Sequence, residues 1–256
     1  MKPYRQQHKA RPKKSTLVYG RSKVLDALNT GVALERIYIN HDLKGPEIEE
    51  INQAAIKAQV PVNKVPEAKL RFYNVEGHQG VIAMISKIQY QDVQDVVSQV
   101  IDKGEMPLLL ILDGVTDIRN IGAIARTAYC CGVHAIIIPD KGVGALNEDA
   151  IETSAGALEM LSVCSVNSLM KTVDDLRLNG IKVYASEMTA KTLVYDLPMQ
   201  EPTAIIVGSE DKGVYPALIK ICDDQFKIPM TGDFESLNVS VATGMILYEA
   251  VKQRLK

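Results

Sequence analysis

The chain has 256 residues, 46% of them hydrophobic and 23% charged, and a formal net charge of −2. That is the composition of an ordinary globular protein of one or two domains, and two are read here. No apolar stretch approaches the roughly 20 residues of a membrane span, and the N-terminus lacks the apolar core of a secretory signal, so a cytoplasmic protein with no membrane contact is expected.

The chain opens on a basic arm, residues 1–16. Residues 1–23 carry eight basic side chains and no acidic one. Such an arm suits phosphate neutralisation, although a solvated tail has the same composition. "GRSKVLDALNTG" then reads as a helix ended by Gly31, "ERIYIN" as a strand, and "GPEIEEINQAAIKAQV" as an amphipathic helix with Ile48, Ile51, Ala55 and Ala58 on one face. A β-like stretch from Val60 to Val65, a short helix near Glu67 to Phe72 and the strand "GVIAMISKI" complete a small α/β layer domain over residues 17–90. Residues 91–106, polar and then broken by Gly104 and Pro107, read as a linker with some helix in it.

From residue 107 to 256 the strands look fully buried. "LLLILDG", "HAIIIPD", "KVYASE", "TAIIVGS" and "FKIPM" are short apolar runs separated by helical segments, the signature of a parallel sheet covered on both faces. The last helix, about Leu237 to Leu255, is apolar nearly all round and is expected to pack both on its own sheet and on a second subunit.

Polar residues gather where these strands should end, in Asp113 to Arg126 ("DGVTDIRNIGAIAR"), Val207 to Gly213 ("VGSEDKG") and Ile228 to Asn238 ("IPMTGDFESLN"). Open α/β sheets bind ligands at the carboxyl ends of their strands, which marks these loops as the candidate site. Other chemistries fit poorly. "KGVGALNEDA" has Asn147 where a dinucleotide loop needs its third glycine, and there is no P-loop and no Gly-x-Ser-x-Gly elbow. Cys130, Cys131, Cys164 and Cys222 form no CxxC pair, and the histidines do not join them at ligand spacing, so no metal is expected and the thiols read as buried structural groups.

The three segments resemble, in order, the three motifs of the SpoU (TrmH) family of RNA ribose 2′-O-methyltransferases: "TDIRNIGAIARTA", "IIVGSEDKGV" and "IPMTGDFESLNVSVATGMILYE". The likeness covers about Leu108 to Lys256. "YGRSKVLDAL" and "EGHQGVIA" are similar to members with an auxiliary RNA-binding domain that methylate a guanosine of 23S ribosomal RNA. The resemblance implies an α/β SPOUT-type fold, a parallel sheet tied in a trefoil knot, preceded by the small α/β RNA-binding domain. It implies S-adenosylmethionine as cofactor, RNA as partner, and a homodimer through the knotted domain and its C-terminal helix. A transfer RNA substrate, or a non-catalytic RNA-binding protein that assists ribosome assembly, are the alternatives.

The resemblance also places residues. Val207, Gly208, Ser209, Ile228, Met230 and Leu237 would bind the cofactor, largely through backbone groups, with Ile228 and Leu237 beside the adenine; sheet core is the plainer reading of those two. Arg126, Asn120, Glu210, Ser236 and Asn238 would be catalytic. Asn120 could instead cap a helix, and Ser236 and Asn238 suit both capping and substrate contact. Arg126 is placed on the buried side of its helix, where a lone charge needs an anion, either RNA phosphate or Glu210. The family assigns its counterpart as the base; a guanidinium better fixes phosphate and stabilises a developing oxyanion. Glu210 could orient Asn120, Arg126 or Asn238. Ile118 stands where the family often has proline and Asp211 where it often has glycine.

Overall fold

The protein is described by a computed structural model covering residues 16–58, 60–86, 88–140, 146, 148–232 and 236–255. The arm up to residue 15, most of the "KGVGALN" loop and residues 233–235 lie outside the described residues. The chain divides between residues 87 and 88 into two compact units.

The first unit runs β1 (Leu17–Tyr19), α1 (Arg21–Asn29), β2 (Leu34–Asn40), α2 (Pro46–Lys57), β3 (Val62–Val65), α3 (Glu67–Arg71) and β4 (Val81–Ile85). Its four strands pair in the order β1-β4-β2-β3, antiparallel except for β2 with β3. The period of two divides each central strand between faces. Ile37, Ile39, Val81 and Ala83 meet Val24 and Leu28 of α1 and Ile48, Ile51 and Ala55 of α2. Tyr38 and Ile82 face Leu17, Leu70 and Tyr73 on the other side. Ala58 leaves the expected apolar stripe, because the helix ends at Lys57 and Ala58 is its exposed C-cap. β1, with three residues, is too short to show in the sequence pattern.

The second unit begins with α4 (Val93–Asp102). Residues 91–106 are therefore no linker. Asp92 caps α4 by accepting from the N–H groups of Gln94 and Asp95, and Val93, Val96, Val97 and Val100 are buried in one core with Leu109 and Ile111. Then follow β5 (Leu108–Asp113), α5 (Ile118–Cys130), β6 (Ala135–Pro139), α6 (Glu148–Thr153), α7 (Ala157–Met160), β7 (Ser162–Val166), α8 (Leu169–Leu178), β8 (Lys182–Ser186), β9 (Thr192–Leu193), β10 (Thr203–Gly208), α9 (Pro216–Ile221), β11 (Asp224–Lys227) and α10 (Val239–Arg254).

The seven strands are parallel, in the order β7-β6-β5-β10-β8-β11-β9. Leu108, Leu110 and Leu112 face α5 and α10, whereas Leu109 and Ile111 face α4 and α8, so both faces are covered. From β5 the chain builds outward to β6 and β7, then crosses to the other half, where β8 and the edge strand β9 are laid down before β10 fills the place beside β5. The β5/β10 junction is thus the switch point where such sheets open a crevice. β11 stops at Lys227, so "IPM" of the expected "FKIPM" strand leaves the sheet. Burial pushes the Cys164 and Cys222 thiols up to about 12, but Cys130, read as buried, is exposed near the end of α5.

One side chain ties the end of the C-terminal helix to four carbonyls. The Arg254 guanidinium donates from Nε to Met199 O at 2.8 Å, from Nη1 to Met106 O at 2.6 Å, and from Nη2 to the carbonyls of Pro107 and Glu201, each at 2.9 Å. Burial lowers its pKa, but these four carbonyls compensate for lost water. Arg254→Ala should cost about 2 kcal/mol and lower Tm by roughly 4–8 °C in calorimetry. An unmoved Tm would deny the clamp any energetic weight.

Candidate active site

β10 ends at Gly208, and there the chain folds back on itself. Gly213 N–H donates to Ser209 O at 2.9 Å and Lys212 N–H to Ser209 Oγ at 3.3 Å, closing a five-residue turn. A β-carbon on Gly208 would overlap the Gly213 carbonyl and the Val214 nitrogen, so only glycine lets the two backbone segments approach this closely. Asp113, at the end of neighbouring β5, anchors the far side of the turn by accepting from Tyr215 N–H at 2.6 Å.

α5 starts one turn earlier than its apolar run suggests, because Asp117 is its N-cap and accepts from Arg119 N–H at 2.9 Å. Hydrogen bonding to the Arg119 side chain holds the Asp117 carboxyl below its ordinary pKa. With that role filled, Asn120 is free to look outward from the first turn. Its Nδ2 donates to Glu210 Oε1 at 3.3 Å, and its Oδ1 accepts from Asn238 Nδ2 at 3.2 Å. Asn238 Nδ2 also donates to Glu210 Oε1, as does Val239 N–H at 3.3 Å. Asn238 meanwhile caps α10, its Oδ1 accepting from Ser240 N–H at 3.0 Å. Its capping and site roles therefore coexist: oxygen to the helix, nitrogen to the carboxylate.

One carboxylate oxygen thus ties together residues from all three motif segments. Glu210→Ala would leave Asn120, Asn238 and the first N–H of α10 without it. Hydrogen bonds to a charged group contribute about 1.5–3 kcal/mol, so turnover should fall roughly ten- to hundredfold. Hydrogen exchange at Val239 should rise in parallel; unchanged exchange and rate would show the network to be idle.

Beside this network, the carboxyl ends of β8, β10 and β11 enclose a cleft of about 320 Å³. Val207, Gly208, Ser209, Ile228, Met230 and Leu237 all line it, together with Glu210 and Ser236. Ile228 and Leu237 are half-buried rather than sheet core. The sequence reading missed Glu187, Met188, Lys212 and Lys227 on the same walls. Glu187 directly follows the apolar run of β8, so the rule that ligands sit at carboxyl strand ends would have found it. The walls mix apolar side chains, among them Val207, Ile228, Met230 and Leu237, with charged groups of both signs, the combination that a flat base with a zwitterionic tail requires.

Arg126 is not where the sequence placed it. It is exposed and has no hydrogen-bond partner among the described residues. The buried stripe of α5 is Ile121, Gly122, Ile124, Ala125 and Ala128, which leaves Arg126 on the outer face with Arg119 and Tyr129. Six residues along a helix move a side chain about 9 Å along the axis and about 240° around it, so Arg126 points away from the side that Asn120 presents to Glu210.

Residues 107–248 match the SpoU rRNA Methylase family, and residues 17–91 match the RNA 2′-O ribose methyltransferase substrate-binding family. The chain belongs to the SpoU methylase family. It is similar to a TrmH-family tRNA/rRNA methyltransferase of Staphylococcus aureus strain MSSA476, at 36% identity over 93% of this chain and 96% of that one. Among solved structures it resembles an RNA 2′-O ribose methyltransferase at 27% identity, with 94% of this chain and 89% of that one covered and a TM-score of 0.56. It also resembles the A. aeolicus TrmH/SpoU tRNA modifying enzyme, at 28% identity over 63% of this chain and 85% of that one, TM-score 0.55. The fold is shared further with the SpoU methyltransferase AviRb of Streptomyces viridochromogenes, solved with AdoMet, at 23% identity over 93% and 90% and TM-score 0.61. In this SpoU methylase the cleft and the Glu210 network both lie within the methylase match, and the small first unit corresponds to the substrate-binding match.

Proposed function

We propose that the protein binds S-adenosylmethionine in the cleft beside Gly208 and methylates a ribose 2′-hydroxyl of RNA, a guanosine of 23S ribosomal RNA, in the cytoplasm. One observation carries this reading: the cleft opens directly onto the network that joins Asn120, Glu210 and Asn238. The cofactor fits the donor set, with apolar side chains for the adenine, Glu187, Lys212 and Lys227 for the amino-acid end, and close backbone at Gly208 and Gly213. When bound it supplies an electrophilic methyl on sulfur, so the chain has mainly to position a weak nucleophile and manage one proton. Asn120 and Asn238, fixed by Glu210, hold the rim against which the ribose lies, and Ser236 stands beside them with a hydroxyl available to it.

A guanidinium is still needed near the sugar to grip phosphate and stabilise the developing oxyanion. Arg126 supplies it from a second copy of the chain. α10 leaves Val241 (49%), Met245 (47%) and Tyr248 (67%) exposed, beside the outer face of α5 with Tyr129 (45%), and the two helices cross where Gly244 nears Thr127. An apolar helix face of this kind calls for a cover, and a homodimer through α10 would also carry the partner's Arg126 towards the cleft. The trefoil threading of the C-terminal segment belongs to the same reading.

Guanosine in ribosomal RNA is favoured by the likeness of "YGRSKVLDAL" and "EGHQGVIA" to members with that substrate. The test is transfer of labelled methyl from the cofactor to total ribosomal and total transfer RNA, followed by digestion to nucleosides. Label in 2′-O-methylguanosine from 23S RNA is expected. Label only in transfer RNA would move the substrate, and none in either would leave an RNA-binding protein.

A further inference from the structure

The two motifs of the first unit that the methyl-transfer chemistry does not use, "YGR" and "GHQG", converge in the fold on one polar cleft. Gly20 N–H donates to Val81 O at 3.0 Å, Arg21 N–H to Gln79 Oε1 at 3.2 Å, and Arg21 Nε to Gln79 O at 3.3 Å. The cleft they border is also lined by Glu47, Glu67 and His78. The loop that carries Gln79 is costly backbone. Gln79 itself adopts φ 49° between Gly77 at 73° and Gly80 at 77°, and a side chain at Gly80 would collide with Leu43. Left-handed conformation at a non-glycine residue costs of order 1 kcal/mol and concentrates at sites of function.

The groups left over define the ligand. Gln79 Oε1 is occupied by α1, but its Nε2 has no partner among the described residues, and neither has Arg21 Nη2. Glu47 uses Oε2 for Arg21 Nη1 at 2.9 Å, which leaves its Oε1 towards the cleft, and Glu67 uses Oε2 for Asn40 Nδ2 at 2.8 Å while its Oε1 lies 3.8 Å from Arg71 Nε, a contact long enough for a ligand's donor to compete with. His78 Nδ1 accepts from Gly80 N–H at 2.9 Å, which puts the ring proton on Nε2, 3.6 Å from Glu67. Two carboxylates, each already faced by a guanidinium, Arg21 for Glu47 and Arg71 for Glu67, leave no net positive charge to draw a phosphate. They suit a neutral ligand that brings its own donors.

We infer that this cleft takes one unstacked guanine of the RNA, its N1–H and 2-amino groups donating to Glu47 and Glu67 and its O6 and N7 accepting from Arg21 and Gln79. Guanine is the base that pairs two adjacent donors on one edge with two adjacent acceptors on the next; adenine, cytosine and uracil each leave a carboxylate without a donor. This rests on RNA being the substrate and deepens that reading: the guanine held here need not be the one methylated.

The test uses the full chain and fluorescein-labelled seven-nucleotide uridine oligomers with one central guanosine, inosine, adenosine or cytidine, read by anisotropy. The guanosine oligomer should bind at least fivefold more tightly than the adenosine and cytidine ones, with inosine, which lacks the 2-amino group, between them. Glu47→Gln and Glu67→Gln, which keep shape and leave the second unit untouched, should each erase most of that preference while cofactor binding stays as it was. Equal binding of all four oligomers, or a preference intact in both variants, would overturn the assignment. Failure of methyl transfer on every RNA would instead strike the proposed activity, and the oligomer result would stand apart from it.

Discussion

Gly208→Ala should abolish measurable cofactor binding in calorimetry while the chain stays folded. The added methyl falls on the Gly213 carbonyl and the Val214 nitrogen, backbone atoms that cannot rotate aside as a side chain would. The turn can yield only by breaking the Gly213 to Ser209 hydrogen bond, and Asp113 resists that from its grip on Tyr215. Overpacking of this kind typically costs about 1–3 kcal/mol, so a lower Tm with native circular dichroism is expected. The cleft wall formed by residues 207–213 would move with the turn, and a cofactor held largely through backbone groups would lose its contacts together. Wild-type affinity in the variant would remove this turn from the binding site.

Arg126→Ala should reduce methyl transfer by about 10³-fold, the scale of removing an oxyanion donor, at unchanged cofactor affinity. Retained turnover would exclude Arg126 from the chemistry. Because the residue lies on the outer face of its helix, mixing subunits of the proposed homodimer gives a sharper result. A heterodimer of one Arg126→Ala subunit and one Gly208→Ala subunit keeps an intact cleft in the first and an intact arginine in the second. Activity near half of wild type is expected if the arginine crosses the interface, and none if it serves its own subunit. Each homodimeric variant alone should be inactive.

The sheet of the second unit was legible because β5, β6 and β10 are built on unbroken aliphatic runs, a pattern that few other structures produce. β7 was not, since "SVCSV" mixes polar residues into an outer strand that needs less burial. α4 shows a different failure. Val93, Val96, Val97 and Val100 keep helical spacing in plain view, but Gly104 and Pro107 drew attention to the break that follows instead of the stripe before it. In the site, the ring of residues from three segments could be read from motif likeness, whereas its hydrogen bonds could not. Asp117, by taking the cap, decided what Asn120 was free to do, and the buried stripe of Ile121, Ile124, Ala125 and Ala128 fixed which face Arg126 occupies.

The clamp at Arg254 has a bearing on how the chain is made. Its carbonyl partners include Met106 and Pro107 at the entrance to the central strand, and α10 adds Val239, Ile246, Leu247 and Ala250 to the core beneath. The larger unit therefore cannot complete its core until α10 has left the ribosome, so the aliphatic strands between residues 108 and 227 must wait, partly uncovered, during synthesis. The smaller unit carries its own core and can fold while they wait. A nascent chain stalled shortly before α10 would be the form most prone to aggregate and most in need of a chaperone.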